Sequence, residues 1–292
     1  MRLSAKFHPP ANQRQVANVR KGNIPAAAKG VQITVSGSVT MNTGLFNTVS
    51  VMPLYLDRRT AMVEVTVNER WYIWPAFIFD LAPGQSFIEY MLKRGYDVYV
   101  MDWRPPRADE SKLTLDHYIE EFIPSCVRAV QQDSGCEEVS LVGYCFGGVL
   151  STLYTAYNAD APPKNLVCFT TPIDFRQMKI FHSMTDKRYF DVDKLVDSLG
   201  NVPPEAIVNS FDMLRPASRV SGQIQLWENI WNDEFVKSYR MFDRWAQDTL
   251  PLAGEYFRSI TKDLMWDNKL YNDTMSVGGR PAELSKIKIP IL

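Results

Sequence analysis

The chain contains 292 residues, of which 46% are hydrophobic and 22% are charged, so it can bury a large apolar core, and disorder is excluded as its main state. Lys and Arg total 32 and Asp and Glu total 33, which leaves a formal net charge of −1. This balance argues against a protein that binds nucleic acid through phosphate contacts. No apolar run is long enough to cross a membrane, and the first residues lack the apolar stretch of a secretory signal. We therefore expect a cytoplasmic protein without a transmembrane segment.

The chain divides into four predicted regions. Residues 1–45 have few large apolar side chains, which predicts a flexible N-terminal arm with at most a short strand at Val31–Val35. Residues 46–171 are predicted to form the core. Residues 172–285 are rich in aromatic residues and helical patterns without a convincing strand, which predicts an inserted helical cap. Residues 286–292 return to strand character and are predicted to rejoin the core.

Strand and helix patterns alternate from residue 77 onward. Apolar runs predict strands at 77–79, 97–101, 139–142 and 166–170, and helical spacing predicts helices at 86–94, 115–132 and 149–157. Gly95 and Gly135 are expected to end the first two helices, and Pro124 to kink or split the second. Because alternating strands and helices form a parallel sheet with helices on its faces, the sequence predicts an α/β fold.

The residues that carry chemistry follow the strand predicted at 139–142. Gly143, Cys145 and Gly147 have the spacing G-x-C-x-G directly before a helix, which is the nucleophile-elbow pattern with cysteine in place of serine. The glycines leave room for a strained turn that holds the sulfur above the sheet. We predict that Cys145 is the nucleophile, that the helix start favours its thiolate, and that the Phe146 N–H stabilises an oxyanion. The alternative is a small buried cysteine in a glycine-rich turn.

The other cysteines have ordinary explanations. Cys126 lies on the apolar stripe of a predicted helix and Cys168 within a predicted strand, so both are expected in the core. Cys136 lies in a turn. No two cysteines have C-x-x-C spacing, so we expect reduced thiols and no metal site.

A cysteine nucleophile usually needs a histidine base that a carboxylate orients. The chain has three histidines, His8, His117 and His182, and none lies after the nucleophile at the end of a later strand, where this elbow usually finds its acid and histidine. His182, with Asp186 four residues on, is the weak alternative base. We therefore expect that the chain is truncated at its C-terminus, that the catalytic Asp and His follow Leu292, and that these 292 residues alone are nearly inactive.

Eight segments within residues 71–292 match the pattern of one known family: 80–87, 95–106, 113–118, 143–148, 164–167, 170–175, 231–235 and 266–271. Through these segments the chain resembles the polyhydroxyalkanoate (poly-3-hydroxybutyrate) synthases of the α/β-hydrolase superfamily. The short stretch before the elbow resembles the shorter synthases that work with a second subunit. The resemblance implies an α/β-hydrolase fold with a large helical cap and, in this chain, with the C-terminal strands missing.

The resemblance also implies an activity. Cys145 would accept the acyl group of an (R)-3-hydroxyacyl-CoA thioester and release CoA, and a hydroxyl of the growing chain would then attack the acyl-cysteine. CoA enters as part of the substrate, so no bound cofactor is expected. Expected partners are a polyester granule surface, a second synthase subunit and a second copy of the chain. The chain departs from the family at 75–79, an apparent insertion where the second oxyanion donor should lie, so that donor is unassigned.

Two other functions remain open. One is a hydrolase with a cysteine elbow, such as a thioesterase or a dienelactone-hydrolase-like enzyme. The other is an inactive remnant that binds granules or a partner subunit. The cap contains aromatic residues at spacings of three and four that predict either a helix packed into the core or a lid or polymer-binding surface: Trp227, Trp231, Phe235, Tyr239, Phe242 and Trp245.

Overall fold

The computed structural model describes residues 31–35, 39–43, 51–55, 63–66, 78–82, 85–101, 103, 105–214, 217–247 and 249–292. The strands are β1 (Val31–Val35), β2 (Val39–Thr43), β3 (Val51–Tyr55), β4 (Val63–Thr66), β5 (Asp80–Ala82), β6 (Gln85–Ser86), β7 (Asp97–Val98), β8 (Ser140–Tyr144), β9 (Asn165–Phe169), β10 (Ser276–Val277) and β11 (Arg280–Pro281). The α-helices are α1 (Phe87–Lys93), α2 (Leu115–His117), α3 (Ile123–Ser134), α4 (Phe146–Tyr157), α5 (Lys179–Met184), α6 (Val192–Leu199), α7 (Pro204–Leu214), α8 (Ser218–Glu228), α9 (Asp233–Gln247) and α10 (Gly254–Ser259).

The central sheet has the strand order β7-β3-β8-β9. Strands β8 and β9 are parallel, as the alternation of strands and helices predicts, but β3 runs antiparallel to both of its neighbours. Because β7 and β8 are both antiparallel to β3, the predicted strands β7, β8 and β9 all run in the same direction, which confirms the mostly parallel sheet. The antiparallel exception is β3, which the sequence analysis did not predict. The rule holds for strands that a helical crossover joins, and no described helix lies between β3 and the next strand along the chain. The α/β class itself is confirmed.

The last residues of the chain extend this sheet beside β9. Ile291 pairs in parallel with Leu166. The Cys168 N–H donates to the Leu292 carbonyl at 2.7 Å, and the Leu166 N–H donates to the Pro290 carbonyl at 3.0 Å. Residues 290–292 therefore lie next to β9, within the segment that the sequence predicts to rejoin the core.

Both faces of β8 are covered, which fixes the strand that leads to Cys145. Leu141 and Val142 are fully buried and belong to two different apolar clusters, one on each face of the sheet. Consecutive strand residues point to opposite faces, so a shift by one residue would exchange the two clusters. This double burial holds the register of the strand and so the position of the turn that follows.

Two strands predicted before β8 differ from the structure: residues 78–79 of the first do not form a strand, and the second is shorter than predicted. Phe79 is buried, but it lies in a single helical turn just before β5, and β5 pairs with β6 in a hairpin rather than with the central sheet. Only Asp97–Val98 of the strand predicted at 97–101 pairs as β7. A short apolar run indicates burial more reliably than it indicates a strand, which explains both differences.

The helix predicted at 115–132 is split, as Pro124 suggests. It forms α2, a π-helical segment at Tyr118–Phe122, and α3. Pro124 has no N–H to donate to the preceding turn, and its ring crowds that turn, so the chain widens there. Gly135 ends α3 with a φ of 69°, and Gly95 follows α1 with a φ of 84°, so both predicted helix ends are confirmed.

The predicted cap is largely helical. It contains α5 to α10 and a second π-helical segment at Ile260–Trp266. Arg258 of α10 forms ion pairs with Asp193 and Asp197 of α6, which joins two parts of the cap. The expectation of no strand there is wrong, because β10 and β11 form a hairpin. Its turn is Gly278-Gly279, both with positive φ, and Gly-Gly is a hairpin signal in the sequence.

The N-terminal region contains more strand than the predicted arm. Residues 1–30 lie outside the described residues. The short strand predicted at Val31–Val35 is present as β1, and it pairs antiparallel with β2 on one side and β4 on the other. The alternation of apolar and polar residues in 31–35 and 39–43 favours such strands.

Candidate active site

Cys145 occupies a strained turn between β8 and α4. Its φ of 52° and ψ of −119° lie in a region that side chains other than glycine rarely adopt. Such a conformation costs about 1–3 kcal/mol and persists only where neighbouring structure enforces it. Here the Cys145 N–H donates to the Phe169 carbonyl at 2.8 Å, and its carbonyl accepts the Gly148 N–H at 3.0 Å. The strand–turn–helix arrangement predicted for the elbow is present.

Two glycines allow the start of α4 to pack against β8 and β9. A Cβ on Gly143 would lie 2.6 Å from the Gly147 carbonyl carbon and even closer to the Gly148 backbone. A Cβ on Gly148 would lie 2.7 Å from the Thr171 Cβ. Gly147 is buried, and its carbonyl accepts the Ser151 hydroxyl at 2.8 Å. The sequence pattern identified Gly143 and Gly147 as the elbow glycines, and the structure adds Gly148 as the residue that contacts the loop after β9.

The sulfur of Cys145 lies in a partly buried setting. Burial raises the pKa of the Cys145 thiol, and a hydrogen bond from the Phe146 N–H offsets only part of this increase. The expectation that the helix start would favour the thiolate is therefore not met by this conformation, since desolvation outweighs the N–H. The Phe146 N–H lowers the pKa of the adjacent thiol, and its role as an oxyanion donor stays a prediction.

Alkylation of Cys145 by iodoacetamide should follow this raised pKa. The thiolate is the reactive form, so a raised pKa keeps the group protonated to higher pH, and the rate should rise with a midpoint above that of the same cysteine in the urea-unfolded chain. Peptide mass spectrometry at several pH values measures the rate. Cys126, whose pKa burial raises to about 12, serves as a slowly reacting internal reference. A midpoint below that of the unfolded chain would show that a base or a cation acts on the sulfur.

The histidines of the described residues are engaged away from Cys145. His117 Nδ1 accepts the Thr114 N–H at 3.1 Å, which forms part of a capping box at the start of α2. His182, the weak alternative base, lies on α5 with Nδ1 3.3 Å from the Met265 carbonyl oxygen. His8 lies outside the described residues. No histidine in the described part of the chain hydrogen-bonds to Cys145.

Asp186, the carboxylate expected beside His182, has a different partner. Arg188 binds both of its oxygens, at 2.6 Å for the closest contact, and holds the pKa of Asp186 at about 2. A general base with its orienting acid is therefore not assembled around His182 in this structure. The segment expected to carry the second oxyanion donor lies largely outside the described residues.

An aromatic group next to the elbow was not predicted. The Phe146 ring packs edge-to-face against two other rings. Its centroid lies 6.4 Å from that of Phe175 and 6.1 Å from that of Tyr256. Tyr256 stacks on Tyr118 at 4.3 Å. Phe175 and Tyr256 come from the segment after β9 and from α10, so the cap supplies part of the wall beside Cys145. Because both residues are far from residue 145 in the sequence, no local sequence pattern predicts this contact.

The aromatic stripe of the cap is more exposed than the core packing expected for it. Trp227 and Trp231 are 74% and 77% exposed, and Phe242 is exposed as well. Phe235 and Tyr239 stack on each other and are half-buried. Exposed aliphatic residues on or beside α8 enlarge this apolar surface: Val220, Ile224 and Ile230. This exposure fits the interpretation of the stripe as a lid or polymer-binding surface better than the interpretation as a helix packed into the core.

The described part of the chain contains no group of three His, Cys, Asp or Glu side chains placed to hold a metal ion. None of its helices is both long and apolar enough to cross a bilayer. Cys126 and Cys168 pack against the main apolar cluster, as expected.

The fold and the elbow define the class of this protein. A family described as having the alpha/beta hydrolase fold matches residues 74–269, more than half of the chain. The chain belongs to the α/β-hydrolase fold family, which confirms the predicted superfamily.

The individual relatives are more specific. The chain is 31% identical over 218 residues to a poly(3-hydroxyalkanoate) polymerase subunit PhaC of Haloferax mediterranei, covering 74% of this chain and 44% of the relative. It is 30% identical over 250 residues to the protein of the same name from Haloarcula marismortui, covering 82% and 52%. It is 33% identical over 218 residues to that of Thiocystis violacea, covering 74% and 61%. The chain spans about half the length of these curated relatives.

Proposed function

We propose that this protein polymerises (R)-3-hydroxyacyl-CoA into polyhydroxyalkanoate through an acyl group carried on Cys145. The observation that supports this most is the strained Cys145 between β8 and α4, with the Phe146 N–H on its sulfur, in a chain similar to proteins named poly(3-hydroxyalkanoate) polymerases. A strained elbow places a nucleophile where an N–H group can receive negative charge from an attacked carbonyl.

The reaction divides into two acyl transfers at the same sulfur. In the first, the deprotonated Sγ of Cys145 attacks the thioester carbonyl, the Phe146 N–H donates to the oxyanion, and CoA leaves as a thiolate that takes up a proton. In the second, the hydroxyl of another acyl unit or of the growing chain loses its proton and attacks the acyl-cysteine. An ester forms and Cys145 is released as a thiolate. CoA enters as part of the thioester substrate and leaves as a product, and the proposed mechanism uses no bound cofactor.

Product analysis tests this function. Purified protein is incubated with (R)-3-hydroxybutyryl-CoA, CoA release is followed with a thiol reagent, and the acyl products are separated. Polyester together with released CoA supports the proposal. Free hydroxy acid without polyester would replace it with a cysteine-elbow hydrolase. CoA release that is unchanged in Cys145→Ala would overturn the role of Cys145.

The rate should be low for these 292 residues alone. Each acyl transfer moves a proton, and His117 and His182 are both engaged away from Cys145. Loss of general-base help typically slows such steps by about 10²–10⁴-fold. We therefore expect turnover lower by that factor than for one of the longer relatives assayed in parallel. Equal turnover would show that a base within this chain serves the sulfur.

The exposed apolar surface of α8 and α9 is proposed to contact the polyester at a granule in the cytoplasm. Trp227 and Trp231 are the most exposed aromatic residues of this surface, and contact with an apolar polymer would remove both rings from water. The double variant Trp227→Ser with Trp231→Ser should partition about tenfold or more weakly onto poly-3-hydroxybutyrate particles. Tyr271→Ser, which removes an exposed ring in a turn outside α8 and α9, serves as the control.

The same double variant distinguishes the polymer from the two other expected partners. A second synthase subunit or a second copy of the chain could cover the same surface. If the double variant loses association with a co-expressed subunit or changes from dimer to monomer by light scattering, while its binding to particles is unchanged, then a protein rather than the polymer covers the surface.

A further inference from the structure

Asn268 is a fully buried polar residue with an unusual backbone. Its exposed fraction is 0%, and its φ is 50°. It follows Asp267, the residue that ends the π-helical segment Ile260–Trp266, at the point where the chain leaves the cap helices. A buried amide is retained only where its polar atoms are bonded, so its partners indicate what it holds.

Both ends of this amide bind the segment that follows β9. Asn268 Oδ1 accepts the Phe175 N–H at 2.9 Å, and Asn268 Nδ2 donates to Asp174 Oδ1 at 2.8 Å. The Asp174 carboxylate in turn accepts the Arg176 N–H at 3.1 Å, which starts a short helical turn. The amide therefore fixes both the backbone of Phe175 and the side chain that begins its turn.

Phe175 connects this amide to the elbow. Its side chain is 1% exposed, and it packs edge-on against the Phe146 ring. Phe146 follows Cys145 directly in the chain, and its N–H lowers the pKa of the Cys145 thiol. A rigid path of packed groups thus runs from Asn268 through Phe175 and Phe146 to the reacting atom. A displacement of Phe175 would move the ring of the residue whose N–H meets the sulfur.

We propose that Asn268 is a positioning residue that holds Phe175 against Phe146 and thereby sets the reactivity of Cys145. It does not contact the sulfur and is not a catalytic residue. The proposal depends on the proposed function in one respect only, namely that Cys145 is the reacting thiol. Its test therefore uses alkylation of that thiol and does not require polyester synthesis.

Three variants test the hydrogen bonds of the Asn268 side-chain amide. Asn268→Gly keeps a residue that tolerates positive φ and removes both hydrogen bonds. Asn268→Asp keeps an acceptor for the Phe175 N–H but places a carboxylate against Asp174. Asn268→Asp combined with Asp174→Asn restores the lost bond with donor and acceptor exchanged. Asn272→Asp makes the same chemical change at an exposed asparagine four residues on, and is the matched control.

The measurement is the rate of iodoacetamide alkylation at Cys145 as a function of pH, with the fold of each variant checked by circular dichroism. The Phe146 hydrogen bond lowers the pKa of the thiol, so its loss should move the midpoint to higher pH. We expect Asn268→Gly and Asn268→Asp to react about tenfold more slowly at neutral pH, which corresponds to one pKa unit. Tyr256 adds no second transition, because burial raises its pKa well above the usual value.

The double variant and the control decide the interpretation. The proposal requires that the double variant recover most of the rate and that Asn272→Asp behave as wild type. Folded Asn268 variants with the wild-type pH profile would overturn it, and so would variants that all fail to fold, since the role would then be structural only. Failure of the protein to make polyester would leave the alkylation result unchanged, so the two failures are distinguishable.

Discussion

Replacing Gly143 by alanine should both destabilise the fold and disable the elbow. The new methyl group would meet the backbone of Gly147 and Gly148, which no side-chain rotation can relieve. Overpacking of this kind costs about 1–3 kcal/mol, and we expect a value near the upper end because the start of α4 must move away from β8. A shift of about 1 Å can also reduce a reaction about 10²-fold. Urea unfolding and single-turnover acylation of Cys145 measure the two effects.

The matched control is Gly222→Ala in α8. The nearest atom to a Cβ at that position is the Tyr239 hydroxyl oxygen, at 3.3 Å, which is the end of a flexible side chain. Alanine is favoured over glycine within a helix by up to about 1 kcal/mol, so this variant should be as stable as the wild type or more stable. Equal destabilisation by both substitutions would show that the close packing at Gly143 is not specific to the elbow.

Removing the sulfur of Cys145 should have the largest effect on chemistry. Cys145→Ala removes the only atom that the proposed mechanism acylates, so acyl transfer from the CoA thioester should fall by at least about 10³-fold. Stability should change little, because alanine keeps the Cβ and therefore the same strain at this positive φ, and only the partly buried thiol is lost. Quenched-flow measurement of CoA release, together with thermal unfolding, tests both parts.

Cys136→Ala is the control for this substitution. Cys136 lies in the turn before β8, and its sulfur is 3.6 Å from the Glu138 carbonyl oxygen. Its removal should leave acyl transfer within about twofold of wild type, as expected for a surface change away from the site. Loss of transfer in Cys136→Ala with retention in Cys145→Ala would reverse the assignment of the nucleophile.

The elbow could be predicted from the sequence because all its parts are local. An apolar strand, the G-x-C-x-G spacing and the following helix lie within a few residues of Cys145, and the structure has them in that order. The helix ends at Gly95 and Gly135 and the split at Pro124 are local for the same reason, since each depends on the backbone of one residue type.

The rest of the site depends on contacts between distant residues. Asn268 binds residues 93 and 94 positions earlier in the chain, and its amide gives no local pattern. The three- and four-residue spacing of Trp227 and Trp231 predicts that they share a helix face but not whether another element covers that face. The antiparallel direction of β3 is likewise set by pairing across the sheet.

The covalent role of Cys145 can be tested by locating the acyl group on the protein. The chain is mixed with (R)-3-hydroxybutyryl-CoA, quenched in acid, digested and analysed by peptide mass spectrometry. We expect a hydroxybutyryl group on the peptide that contains Cys145, and none on that peptide in Cys145→Ala. An acyl group on another residue, or release of CoA with no acylation of Cys145 at any time, would contradict this role.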